Sequence, residues 1–169
     1  MNSKTLITQT IWFIVLILAQ ALVFNNIALH SLLNPFIYIF FILMLPTQVP
    51  KMWLLVLAFL TGFLLDVFSN TAGMHAGACT LLAFLRPTWF ANIIRLDPEQ
   101  EFEPADFSFG EFLRYIVPLV FVHHLALFCL ESLVITDIVP ILAQTALNTL
   151  LSSAFIVILR YLFIRKKQR

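Results

Sequence analysis

The chain has 169 residues, 61% of them hydrophobic and only 11% charged, with a net charge of +1 and a mean hydropathy of +0.96. A soluble domain carries about 45–50% apolar and about 25% charged residues, so no soluble core could absorb this apolar surface, and the composition specifies one polytopic membrane domain over 1–169. The balanced charge and the lack of a basic stripe exclude a nucleic-acid surface. Cys79 and Cys129, each alone in an apolar stretch, read as small buried hydrophobes, neither a disulfide nor a metal pair.

The first apolar block covers 6–24, enough to span a bilayer core of about 30 Å. It follows Met1-Asn2-Ser3-Lys4 with no small-residue cleavage pattern, so it reads as a retained helix, not a signal peptide. Asn25-Asn26 closes it. The second block starts at Asn34-Pro35, an N-cap followed by a first-turn proline, and runs through 36–45 to Pro46. It is short for a span, and thin crossing, tilt and an interfacial position all stay open. The third covers 52–68, the polar turn Ser69-Asn70-Thr71-Ala72-Gly73 follows, and the fourth covers 74–90, interrupted near its end by Arg86-Pro87. A loop of about 91–110 holds the acidic, proline-punctuated stretch 97–106. The fifth block covers 112–133, with Pro118 as a kink; the sixth covers 138–164, and a basic tail follows at 165–169. The expected fold is all-α with about six transmembrane helices. The blocks are too long, and too little alternating, for barrel strands.

With six spans, one side of the membrane receives Lys4, Lys51, Arg86, Arg95, Arg114, Arg160, Arg165, Lys166, Lys167 and Arg169, which are all 10 basic residues of the chain. The positive-inside rule then makes both termini cytoplasmic. The second block is needed for this pattern, because without it Lys51 falls on the other side.

Asp66 ends the uncharged run 52–65. A carboxylate costs about 2.5–3.5 kcal/mol at the bilayer centre, and less toward the interface, so it needs a partner. The six-span topology places it near the outer end of the third helix, with His75 just across the turn as its nearest candidate partner in sequence. Gln20, Glu131, Gln144, Thr145, Asn148 and Ser152 fall at similar depth, the last four on one helical face. Two readings compete for this cluster. One is helix packing, at about 0.6 kcal/mol per polar contact; the other is an outward-facing pocket or a surface for a partner's transmembrane helix. Glu131 is close enough to the interface for headgroup solvation. His123 and His124 point about 100° apart and read as packing residues, without a metal set. Thr61-Gly62 and Gly73, Gly77 with Ala76 and Ala78 are small-residue positions, and Gly73-x-x-x-Gly77 is a candidate close-packing face between the third and fourth helices. No nucleotide-binding, nucleophile-elbow or zinc-protease motif is present, so neither an enzyme nor a cofactor is expected. The acidic stretch is a solvated linker or a partner-binding segment anchored by Phe102, Phe107 and Phe109.

The run Gly62-Phe63-Leu64-Leu65-Asp66-Val67-Phe68-Ser69-Asn70-Thr71-Ala72-Gly73-Met74-His75 resembles the central motif of the bacterial rod shape-determining protein family MreD, a Gly-x-x-x-Asp closing one helix before a glycine-containing turn. Residues 38–46, ending in Pro46, are similar to the family's second helix. The resemblance is specific over about 38–85, and the acidic stretch 97–106 departs from the family's short connection. It implies a non-enzymatic subunit of the elongation complex in the cytoplasmic membrane, acting in cell shape and peptidoglycan synthesis. Its implied partners are a MreC-like protein, MreB, RodA and a class B penicillin-binding protein. It also implies a fold similar to the substrate-binding subunits of energy-coupling-factor transporters. Asp66 and the turn after it are the family-matched positions. The rival expectation is such a transporter subunit, with a small molecule in the outer pocket.

Overall fold

The computed structural model describes residues 3–26, 33–93, 103–132 and 138–163. These form helices α1 (Ser3–Leu22), α2 (Ile39–Met44), α3 (Lys51–Ser69), α4 (Met74–Ile93), α5 (Phe109–Glu131) and α6 (Ile138–Phe163), with short 3-10 turns at Phe24–Asn26 and Pro104–Asp106. Among the described residues there are no strands. Among the described residues, four stretches are long and apolar enough to cross a membrane: Leu6–Asn26, Lys51–Ser69, Phe109–Glu131 and Ile138–Phe163. The other two expected spans differ in kind. α4 is as long as its neighbours but carries His75, Arg86 and Pro87, and it continues through Pro87 to Ile93 instead of breaking there.

The second block is not a helix from Pro35 onward. Only Ile39–Met44 is helical, and Asn34 does not cap it. The reason is tertiary. The backbone N–H groups of Asn34, Phe36 and Ile37 bond to side chains of α6 and α1 (Asn148, Ser152 and Gln20), in place of a helical ladder. The segment is apolar on every face and is buried accordingly, with Phe36 to Leu43 and Leu45 all nearly inaccessible.

α3 to α6 pack as successive antiparallel neighbours around this segment. The α3–α4 turn marks one end of the bundle and Lys51 the other. Pairings along the segment run steadily from one end to the other: Asn34 and Phe36 meet α6 at Asn148 and Ser152, Tyr38 meets His123, and Leu43 and Leu45 meet Tyr115 and Arg86. α1 joins the body mainly through Leu16, Ile17 and Gln20, while Ile7, Ile11, Ile14 and Leu22 stay exposed.

Candidate functional site

Asp66 is closed inside the α3–α4 hairpin. α3 ends as Asn70 enters the left-handed region at φ 53°, and Gly73 turns the chain at φ +82°, a conformation that glycine adopts without steric cost. α4 then begins directly against α3, with its first N–H groups needing acceptors. Asp66 supplies them: its Oδ1 accepts from the His75 N–H (3.0 Å) and its Oδ2 from the Ala76 N–H (2.9 Å). The Thr71 hydroxyl donates to Oδ1 at 2.5 Å, and His75 Nδ1 lies 3.1 Å from the same oxygen. Because the carboxylate only accepts and the Thr71 proton is already used, His75 carries its proton on Nδ1. A cap from the preceding helix thus sets a negative charge at the positive end of α4.

Gly62 makes this clasp possible. A Cβ there would lie 2.5 Å from Ala76 Cα and closer still to the His75 carbonyl. Gly73 and Gly77 do not form the expected α3–α4 face. A Cβ on Gly73 would meet nothing within 4 Å, and one on Gly77 would meet Leu130 Cδ1 of α5 at 3.3 Å. The close approach is at Gly62 because it faces the first turn of α4, whereas Gly73 and Gly77 face outward.

A second polar group supports the extended part of the buried segment. Ile37 N–H donates to Gln20 Oε1 (2.8 Å), Asn34 N–H to Asn148 Oδ1 (2.9 Å) and Phe36 N–H to Ser152 Oγ (2.9 Å). Ser152 Oγ is also 3.4 Å from His124 Nε2, while His124 Nδ1 lies 2.8 Å from the Val120 carbonyl. This fixes a direction: Nδ1–H donates to Val120, so the Ser152 hydroxyl donates to Nε2. Asn148 and Ser152 therefore serve the chain's own backbone. Gln144, half-buried, joins through its carbonyl, which accepts from Asn148 Nδ2. Glu131 stands exposed at the last residue of α5, apart from this group. His123 faces the other way, 3.1 Å from the Tyr38 hydroxyl and 3.8 Å from Cys79 Sγ. Among the described residues no cluster of histidine, cysteine and carboxylate could hold a metal.

Two buried arginines went unnoticed as structural groups in the sequence. Arg86, expected only as an interruption near the end of the fourth block, is 4% exposed. It donates from Nε to the Tyr115 hydroxyl (2.7 Å) and from Nη2 to the Leu45 carbonyl, while Tyr115 donates to the Leu43 carbonyl (2.8 Å). Arg160 donates to the Ala105 and Phe107 carbonyls and lies 4.1 Å over the Phe112 ring. The available signal was the cost of a charge in an apolar helix, which demands a partner wherever it occurs.

Of the acidic stretch, 97–102 lie outside the described residues, as do Phe102 and the basic tail 165–169. The rest forms a reciprocal cap between Glu103 and Asp106. Glu103 also accepts from the Thr47 N–H (3.0 Å) and hydroxyl (3.1 Å). Burial raises its carboxyl above the usual range, opposed by the Thr47 bonds and by Arg86. Phe107 is no partner anchor: it is buried in the chain's own core, whereas Phe109 is exposed.

A groove of about 730 Å³ runs along the outside of the α3–α4 hairpin, with Gly73, Gly77 and Thr80 between Phe59, Phe63 and Phe84. Comparison with protein families, characterised proteins and solved structures finds no match to this chain.

Proposed function

We propose that this chain is a MreD-like, non-enzymatic subunit of the bacterial elongation complex. It acts in cell shape and peptidoglycan synthesis by holding the transmembrane helix of a MreC-like partner, in company with MreB, RodA and a class B penicillin-binding protein. In this reading the protein lies in the cytoplasmic membrane with six crossings. The buried segment 33–45 is the second, and both termini are cytoplasmic. The steady descent of that segment's contacts, and the gathering of every lysine and arginine on one side of such a topology, support it.

The observation that carries the reading is the outward groove on the α3–α4 hairpin. Its floor of Gly73, Gly77 and Thr80 lets another backbone come close, and its aromatic walls give that backbone packing. The Asp66 clasp holds the two helices that form it. The Gly-x-x-x-Asp signature then has a mechanical meaning: it makes a rigid hairpin whose outside is the binding surface. A transporter-type pocket in the outer half is disfavoured, because Gln20, Asn148 and Ser152 are already engaged with backbone N–H groups.

Co-purification with a MreC-like protein tests this. Thr80→Trp, which fills the groove, should abolish capture while leaving the melting temperature near that of the wild type. Capture undiminished by a folded Thr80→Trp variant would rule the groove out.

A further inference from the structure

A larger cavity, of about 1200 Å³, opens at the Lys51 end between the first half of α1, the buried segment and the start of α3. Its apolar walls include Trp12, Phe13, Phe40, Phe41, Met44 and Leu57. Its polar lining groups are Thr8, Gln9 and Thr10 on α1, with Gln48 and Glu103, the latter bonded to Thr47, near the Lys51 end. We propose that this cavity binds a phospholipid, with an acyl tail among the aromatic walls and the phosphate at the Lys51 end.

Three observations carry the choice of occupant. The first is that the cavity stops partway along α1. Along α1 its lining stops at Phe13, and beyond it Leu16 and Ile17 are buried against the body and Gln20 is tied to the Ile37 N–H. From Leu6 to Phe13 a helix rises about 10 Å, a third of the roughly 30 Å that a transmembrane helix must cross. A partner helix therefore cannot lie in it, whereas the end of an acyl chain can.

The second observation is polarity. The wall at Trp12, Phe13, Phe40 and Phe41 is aromatic, and the amide and carboxyl groups of Gln48 and Glu103 lie toward the Lys51 end, which is the profile of a lipid with its headgroup at that end. Lys51, exposed beside the lining Pro50, provides a cation for the phosphate. The third is size. The volume exceeds the roughly 300–1,000 Å³ of ordinary small-molecule pockets. An unfilled apolar void forfeits the dispersion contacts of its lining atoms, so the surrounding hydrocarbon is drawn in.

The test uses the full chain with photoreactive benzoylphenylalanine in place of Phe13, and separately in place of the exposed Leu150 as a bulk-lipid control. The protein is solubilised, washed extensively in detergent, irradiated and weighed intact. A phospholipid-mass adduct at position 13 and none at 150 is expected. Val49→Trp, which fills the cavity, should reduce the adduct about tenfold, equivalent to about 1.4 kcal/mol of binding; Ala105→Phe serves if Val49→Trp does not fold. Three results would overturn the proposal: no lipid adduct at position 13, equal adducts at both positions, or a protein adduct at position 13 on irradiation in intact cells.

Discussion

Gly62→Ala is the sharpest probe of the hairpin. The new Cβ would sit 2.5 Å from Ala76 Cα, where ordinary contact begins at 3.4 Å, and the obstacle is backbone held by α4's own hydrogen bonds. No side chain can swing aside, so the two helices must part by about 1 Å. That parting stretches the bonds from the His75 and Ala76 N–H groups to Asp66, now 3.0 and 2.9 Å, beyond hydrogen-bonding range. Overpacking alone costs about 1–3 kcal/mol, and hydrogen bonds to a charged group contribute about 1.5–3 kcal/mol each. With both bonds lost, the expected destabilisation is about 4 kcal/mol or more. Gly77→Ala is the internal control. Its Cβ meets only the flexible end of Leu130 at 3.3 Å, so it should cost less than about 1 kcal/mol. Reversible unfolding in bicelles, read by steric trapping, measures both. If the two variants fall within about 0.5 kcal/mol of each other, the close approach at Gly62 is not what seats α4, and the clasp argument fails.

Asp66→Ala removes the acceptor for two backbone N–H groups and the Thr71 hydroxyl and should cost about 3 kcal/mol or more in the same assay; Asp66→Asn retains one acceptor oxygen and should recover part of this. Asn148→Leu leaves the part-buried Asn34 N–H without its acceptor, so that amide should exchange with solvent faster, with a loss of about 1–3 kcal/mol. Arg86→Met keeps the side-chain bulk but strips a donor from the Leu45 carbonyl and the Tyr115 hydroxyl. It should destabilise by about 1–3 kcal/mol, and Tyr115→Phe added on top should cost less than it does alone, because the two share one network.

The long apolar blocks were legible because length and composition alone identify them. The bounds of α3, α5 and α6 fall within a few residues of those expected from hydropathy. The second block was not legible. A short apolar run bounded by prolines is ambiguous between helix and extended chain, and what decides it here are side chains 114 and 116 residues away, Asn148 and Ser152. The sequence offers His75 as the nearest candidate partner for Asp66, since only a short turn separates them, and the structure sets its Nδ1 3.1 Å from the carboxylate. The Ala76 amide and the close approach at Gly62 could not be read, because a glycine pattern does not say which neighbour it faces. Arg86 reads in the sequence only as a break in the fourth block because Pro87 follows it. Helical continuation through that proline becomes visible only with Tyr115 and the Leu45 carbonyl in place to receive the guanidinium.

The broken second segment also explains the shape of the molecule around α1. In a membrane helix the backbone satisfies itself, but an extended stretch buried in the bundle must borrow its partners. Gln20, Asn148 and Ser152 are those partners, which is why the polar residues of α1 and α6 gather at one level. An extended chain is also thinner than a helix: strands pack about 4.8 Å from a neighbour in the hydrogen-bonding direction, whereas a helix with its side chains is about 10–12 Å across. α1 can therefore close on the body where the segment is extended, at Leu16 to Gln20. Where the segment turns helical, α1 meets it through ring contacts: Trp12 meets Phe40 at 5.7 Å and Phe13 meets Phe41 at 5.2 Å between ring centroids. Toward the Lys51 end from those contacts lies the cavity, lined by α1, α2 and the start of α3. One local choice, extended chain giving way to a single short helix, thus fixes both where the polar seam must lie and where a lipid tail can enter.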